Sequence, residues 1–148
     1  MEYTWYRIVH LIGMVLWVSG IAATLALLGS APHIAASFKE AFIAKLRRVA
    51  IAMDLGATLV IAVGLVMAFS KVRWPTQNAF TTGGWLHAKL FLVAIGVLAP
   101  HLVLRLRIAR LRKSPTSDAP LPAWLAPLFI FACIAIIALV ANPTLMRK

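Results

Sequence analysis

The sequence predicts an all-α integral membrane protein, a four-helix bundle forming a single domain over residues 1–148. Three observations carry that expectation. Hydrophobic residues make up 62% of the chain and charged residues 13%, whereas soluble domains run near ~45–50% and ~25%. Fifteen Lys and Arg against four Asp and Glu give a net charge of +11, and the cations lie between long apolar runs. Cations so placed report sidedness in a membrane rather than a nucleic-acid partner. The apolar runs are themselves long enough to cross a hydrocarbon layer of ~30 Å, which needs roughly 20 residues of helix. The composition excludes an acidic disordered chain, and the single Cys133 excludes an internal disulfide scaffold.

Four stretches qualify as spans. The first runs from about Trp5 to Leu28 and stops at Gly29-Ser30-Ala31-Pro32. It is longer than the ~7–15-residue core of a signal peptide and is expected to remain as a spanning helix. The second runs from about Val49 to Phe69, ahead of Lys71 and Arg73. The third covers about Trp85 to Leu104 and carries Pro100, and the fourth covers about Trp124 to Ala141, closed by Asn142-Pro143. Backbone polar groups inside a bilayer must pair within their own segment, and period-2 alternation is weak, so helices rather than a barrel are expected. The polar stretch Lys113–Pro120 reads as a short linker.

Nine Lys and Arg fall on the side of the connections between helices 1 and 2 and between helices 3 and 4; six fall on the other. The positive-inside rule then places both termini outside the cytoplasm, as in a multi-pass protein of a cell's inner (plasma) membrane. Trp5, Tyr6, Trp74, Trp85 and Trp124 fall near the expected interfaces, where aromatic rings prefer to sit.

Ionisable groups inside spans are costly and mark candidate functional positions. His10, Gly13, Trp17, Gly20 and Thr24 share one stripe of the first helix. Two readings of that stripe stand: packing through the glycines with His10 hydrogen-bonded across the bundle, or room for something flat and large beside His10. His87, at the start of the third helix, is expected at the same depth as His10, because the two helices run in one direction. Two imidazoles so placed could ligate one haem iron from both sides. His101 follows His87 by 14 residues, close to four turns, and is expected on the same face. It could form a second site with His33, serve as a polar group near the interface, or donate to a propionate.

Lys89 is turned roughly 200° from His87 and is not expected in the same pocket. It either snorkels to the interface or meets an anionic group from the neighbouring side. Asp54 is the one acid well inside a span. It either pairs with Arg47, Arg48, Arg105 or Arg107, or carries protons, with Thr58 one turn on. Cys133 reads as inert core, and the five methionines show no spacing that suggests a copper site.

His10 with Trp17 and Gly20, the basic Lys45-Leu46-Arg47-Arg48, and then Gly84-Trp85-Leu86-His87-Ala88-Lys89-Leu90 resemble the HemJ-type protoporphyrinogen oxidase family. More broadly the pattern is similar to the CopD-like membrane proteins. The resemblance spans helices 1 to 3. It implies a b-type haem, oxidation of protoporphyrinogen IX to protoporphyrin IX, and His10, His87 and Lys89 as the key positions. The chain reads Ala23-Thr24-Leu25-Ala26-Leu27 where that family carries an arginine, Leu55-Gly56-Ala57 where it has Pro-Ala-Met, and Pro122-Ala123-Trp124-Leu125 where it has Asn-Glu-x-Pro.

The expected function is therefore a haem b-binding membrane oxidoreductase with His10 and His87 as axial ligands. Electrons would pass to quinone or a partner redox protein, and Asp54 or Lys89 would assist proton removal. The alternative is a non-catalytic haem- or copper-binding subunit or transport protein of the CopD type. Four short spans are a small enclosure for a porphyrin, which leaves room for a homodimer.

Overall fold

The computed structural model describes residues 2–69, 84–114 and 121–141. Among them every regular element is helical, as the apolar runs require. Helix α1 covers Glu2–Ser30 and gives way to two short 3₁₀ turns, Ala31–His33 and Ala36–Phe38. Pro32 sits in the first turn, where its missing N–H leaves no bond unmade. Helix α2 covers Lys39–Ala68. A continuous rod comes next: α3 over Gly84–Val93, a π-helical turn over Ala94–Leu98, and α4 over Ala99–Lys113. Helix α5 covers Leu125–Ala141.

The helices overrun the expected spans at their basic ends. Helix α2 starts at Lys39 rather than near Val49, and the third rod continues from Leu104 to Lys113. Lys, Arg and Leu are good helix formers, and Arg110, Arg112 and Lys113 favour the negative end of the helix dipole. Hydropathy marks the apolar part of a helix, not its end.

Three helices are long and apolar enough to cross a membrane: Thr4–His33, Ala36–Ala68 and Leu86–Lys113. The fourth is shorter. Its 17 residues reach about 25 Å at ~1.5 Å per residue, below the ~30 Å of hydrocarbon. The four expected spans thus reduce to three of full length among the described residues.

Burial runs in stripes of helical period. On α1 the stripe is Gly13, Trp17, Gly20, Ile21, Thr24 and Leu28; on α2 it is Leu46, Ala50, Met53, Gly56 and Ala57. Leu104 and Ile108 of α4 and Leu125, Phe129, Ala132 and Ile136 of α5 complete the core. The opposite faces expose large apolar side chains: Val15, Leu55, Phe91 and Ile137 are each more than half exposed. Helices apolar on their outer as well as inner faces are compatible with contact to a lipid bilayer. Trp5, Tyr6 and Trp124 are exposed near helix ends; Trp74, the side chain of Trp85, and the segments holding Lys71, Arg73 and Asn142-Pro143 lie outside the described residues.

Helices α1 and α2 pack backbone to backbone, antiparallel. A Cβ on Gly20 would lie 2.7 Å from Met53 Cβ, one on Gly13 2.9 Å from Leu59 Cβ, and one on Gly56 2.5 Å from the Trp17 backbone nitrogen. Only glycine admits so close an approach at these three positions. The rod packs its π turn on α5, where a Cβ on Gly96 would overlap Ala132 Cβ. Helix α4 reaches both α1 and α2.

The π turn has a cause in the sequence. Pro100 lacks an N–H, and in an unbroken α-helix its ring would clash with the carbonyl four residues back, at Gly96. Winding 94–98 as a π turn relieves that contact. The extra residue shifts the phase of the rod beyond it by about 100°. The expectation that His87 and His101 share a face is therefore overturned: His87 is exposed, while His101 is 8% exposed.

Candidate functional site

The polar residues inside the bundle form two groups that meet at Trp17. The first borders a cleft of about 660 Å³ walled by α1, the second half of α2, the rod and α5. Its lining is apolar apart from His10, Lys89, Ser19 and Cys133, and Trp17 also borders it. Leu11, Val15, Ile61, Leu65 and Leu90 line the cleft and are also exposed, so they form its rim.

His10 is set by the α1–α2 register, which puts it against Gly64. A Cβ there would lie 3.1 Å from His10 Cε1 and 3.5 Å from Nδ1, so the glycine leaves space for the ring. His10 Nδ1 is buried, with the Val60 backbone as its hydrogen-bonding neighbour at longer range than a full hydrogen bond, and the charge of Lys89 acts on the ring. Lys89 is half-buried and lines the cleft, and the ion pairs among the described residues do not include it. A cation and a histidine thus border one apolar space.

His87 is exposed and is not part of the cleft lining. His10 therefore meets Lys89 there and not the second histidine, as the 200° offset between His87 and Lys89 requires. Gly13 and Gly20 do not border the cleft. They occupy the α1–α2 seam, which is the packing reading of their stripe.

The second group lies further along the rod, around His101. Trp17 Nε1 donates to His101 Nδ1 at 3.0 Å, the rings edge-to-face with centroids 6.0 Å apart at 78°. His101 Nε2 lies 3.3 Å from Asp54 Oδ1, and Arg105 Nη2 lies 3.2 Å from Asp54 Oδ2. Of the four arginines open to Asp54 from the sequence, the structure selects Arg105. With both its nitrogens engaged, His101 has none left for an iron or a propionate, and His33 is exposed in the connection beyond α1. Thr58 Oγ1 bonds the Asp54 carbonyl at 2.9 Å and does not extend a path from the carboxylate.

The contacts also fix direction. Along α1, His10 precedes Trp17; along the rod, their partners Lys89 and His101 come in the same order. The first and third helices run the same way, as expected. Met14, Met67 and Cys133, none of them a site candidate on sequence grounds, line the same cleft as His10. They come from three helices, so no local spacing could have joined them. Among the described residues no group of three His, Cys, Asp or Glu side chains could hold a metal ion.

Comparison with family models, with curated proteins and with solved structures finds no match to this chain.

Proposed function

We propose that the chain is a haem b-binding integral membrane protein, an oxidoreductase of the kind its sequence resembles, with both termini outside the cytoplasm. The observation that carries this reading is the His10 imidazole lining an apolar cleft that Lys89 shares. The cleft volume of about 660 Å³ lies within the ~300–1,000 Å³ usual for small-molecule and cofactor sites.

The residues present fit haem on one side. His10 would hold the iron, Lys89 would meet a propionate, Gly64 keeps the imidazole seat open, and the aliphatic walls exclude water. The exposure of His87 does not support it as a second ligand in the same cleft. When bound, the group supplies one-electron chemistry, and the chain sets its ligand, surroundings and access. By resemblance, the reaction is oxidation of protoporphyrinogen IX to protoporphyrin IX, with electrons leaving to quinone or a partner redox protein.

A second reading is a copper-binding subunit of the CopD type, which the placement of Met14, Met67, Cys133 and His10 around one cleft favours. One experiment separates the two. A redox-difference spectrum is recorded on protein purified from haem-replete cells, with haem, iron and copper quantified. Sharp b-type bands lost in His10→Ala and kept in His87→Ala support haem at His10. A colourless preparation, or bands unchanged in His10→Ala, overturns it; stoichiometric copper without haem supports the second reading.

A further inference from the structure

The Trp17–His101–Asp54–Arg105 chain has a property that does not depend on what fills the cleft. The indole Nε1–H can only donate, so the His101 Nδ1 that faces it must carry no proton. The ring proton then sits on Nε2, toward Asp54, whose other oxygen takes Arg105. A second proton has one place to go: Nδ1, opposite the indole N–H. The imidazolium and the Trp17 hydrogen bond exclude each other.

We propose that His101 is a proton-binding site linked to the cleft: taking up a proton at Nδ1 breaks its bond to Trp17, and Trp17, which forms part of the cleft wall, shifts. The step is balanced as one proton gained, one N–H bond formed on the imidazole, and one hydrogen bond lost. The side chain of His101 is 11% exposed, while those of Asp54 and Arg105 are 36% and 42% exposed, so the ion pair is the more open end of the chain and Trp17 its buried end. Among the described residues the charged groups acting on the ring are Asp54 from α2 and Arg105 from its own helix, and α1 places the Trp17 indole against it. Helix α5 carries no charged residue, and its one titratable side chain, Cys133, lines the cleft. Linkage runs both ways: a cleft ligand that holds Trp17 in place must oppose protonation, and one that displaces it must promote protonation.

The test is a pH titration of the full chain in micelles, with ¹⁵N-labelled tryptophan indoles and ¹³C-labelled methionine methyls. Trp17 is assigned by Trp17→Phe, and Met14 reports the cleft wall. The expected result is that the Trp17 indole and the Met14 methyl move together in one transition. His101→Gln can accept from Trp17 and donate to Asp54 but cannot titrate. In that variant both signals stay flat, with the Trp17 indole at its hydrogen-bonded position. In Asp54→Asn the transition persists, because the imidazole and not the carboxylate takes the proton. Three results overturn the proposal: no transition in the unaltered chain, a transition that survives His101→Gln or vanishes in Asp54→Asn, or a Met14 signal that ignores the one at Trp17.

Discussion

His101 Nδ1 accepts a hydrogen bond from Trp17 Nε1 across 84 residues of sequence, and that contact ties the rod to the α1–α2 pair. It also settles the tautomer of a buried imidazole, since the donor cannot reverse its role. His101→Leu strands the indole N–H in a position 3% exposed and is expected to cost about 1–3 kcal/mol. His101→Gln, which restores both partners, costs clearly less. Thermal unfolding in detergent ranks the two, and equal losses would mean that the hydrogen bond contributes nothing.

The glycines of the α1–α2 seam make a second prediction. Gly56→Ala puts a methyl 2.5 Å from the Trp17 backbone nitrogen, and backbone cannot swing aside. It is expected to destabilise by about 1–3 kcal/mol, the range of an overpacked core. Gly29→Ala meets nothing within 4 Å and removes a flexible residue from a helix, so it stabilises by up to about 1 kcal/mol. The same unfolding assay compares them, and the pair of signs is the prediction.

The π turn can be tested by shortening it. Deleting Ile95, an exposed residue within 94–98, removes the extra residue and returns the rod to α-helical winding with everything after it in its present phase. Pro100 then meets the carbonyl that the π turn avoids, which costs stability, but His101 still faces Trp17. The expected signature is a lower unfolding temperature with the hydrogen-bonded indole resonance kept. Loss of that resonance would show that the turn does not set the position of His101.

Lys89 makes a prediction about ligand chemistry. If it meets a carboxylate in the cleft, Lys89→Met weakens haemin about tenfold, some 1.4 kcal/mol, and leaves haemin dimethyl ester unaffected. Binding isotherms for the two compounds measure the difference. An equal effect on both would assign Lys89 to the interface and not to the ligand.

Much of the fold is legible in the chain because its causes are local. The apolar runs mark the helices, the glycine spacing of α1 marks a tight seam, and the 200° between His87 and Lys89 already separates them. The positions that escape depend on winding or on distant partners. Helical periodicity carried through Pro100 puts His101 on the face of His87, but the proline ring forces an extra residue into the turn before it. The choice of Arg105 for Asp54 depends on how α4 lies across α2, which no spacing within either helix specifies. The flanks of α5 overstate its apolar length, since Trp124 lies just outside a helix that begins at Leu125.

The rim of Leu11, Val15, Ile61, Leu65 and Leu90 sets the terms on which the cleft can be filled. With these outer faces in a bilayer, a ligand would reach His10 and Lys89 by way of the hydrocarbon, and compounds equally matched to the two polar groups would separate by how readily they leave water.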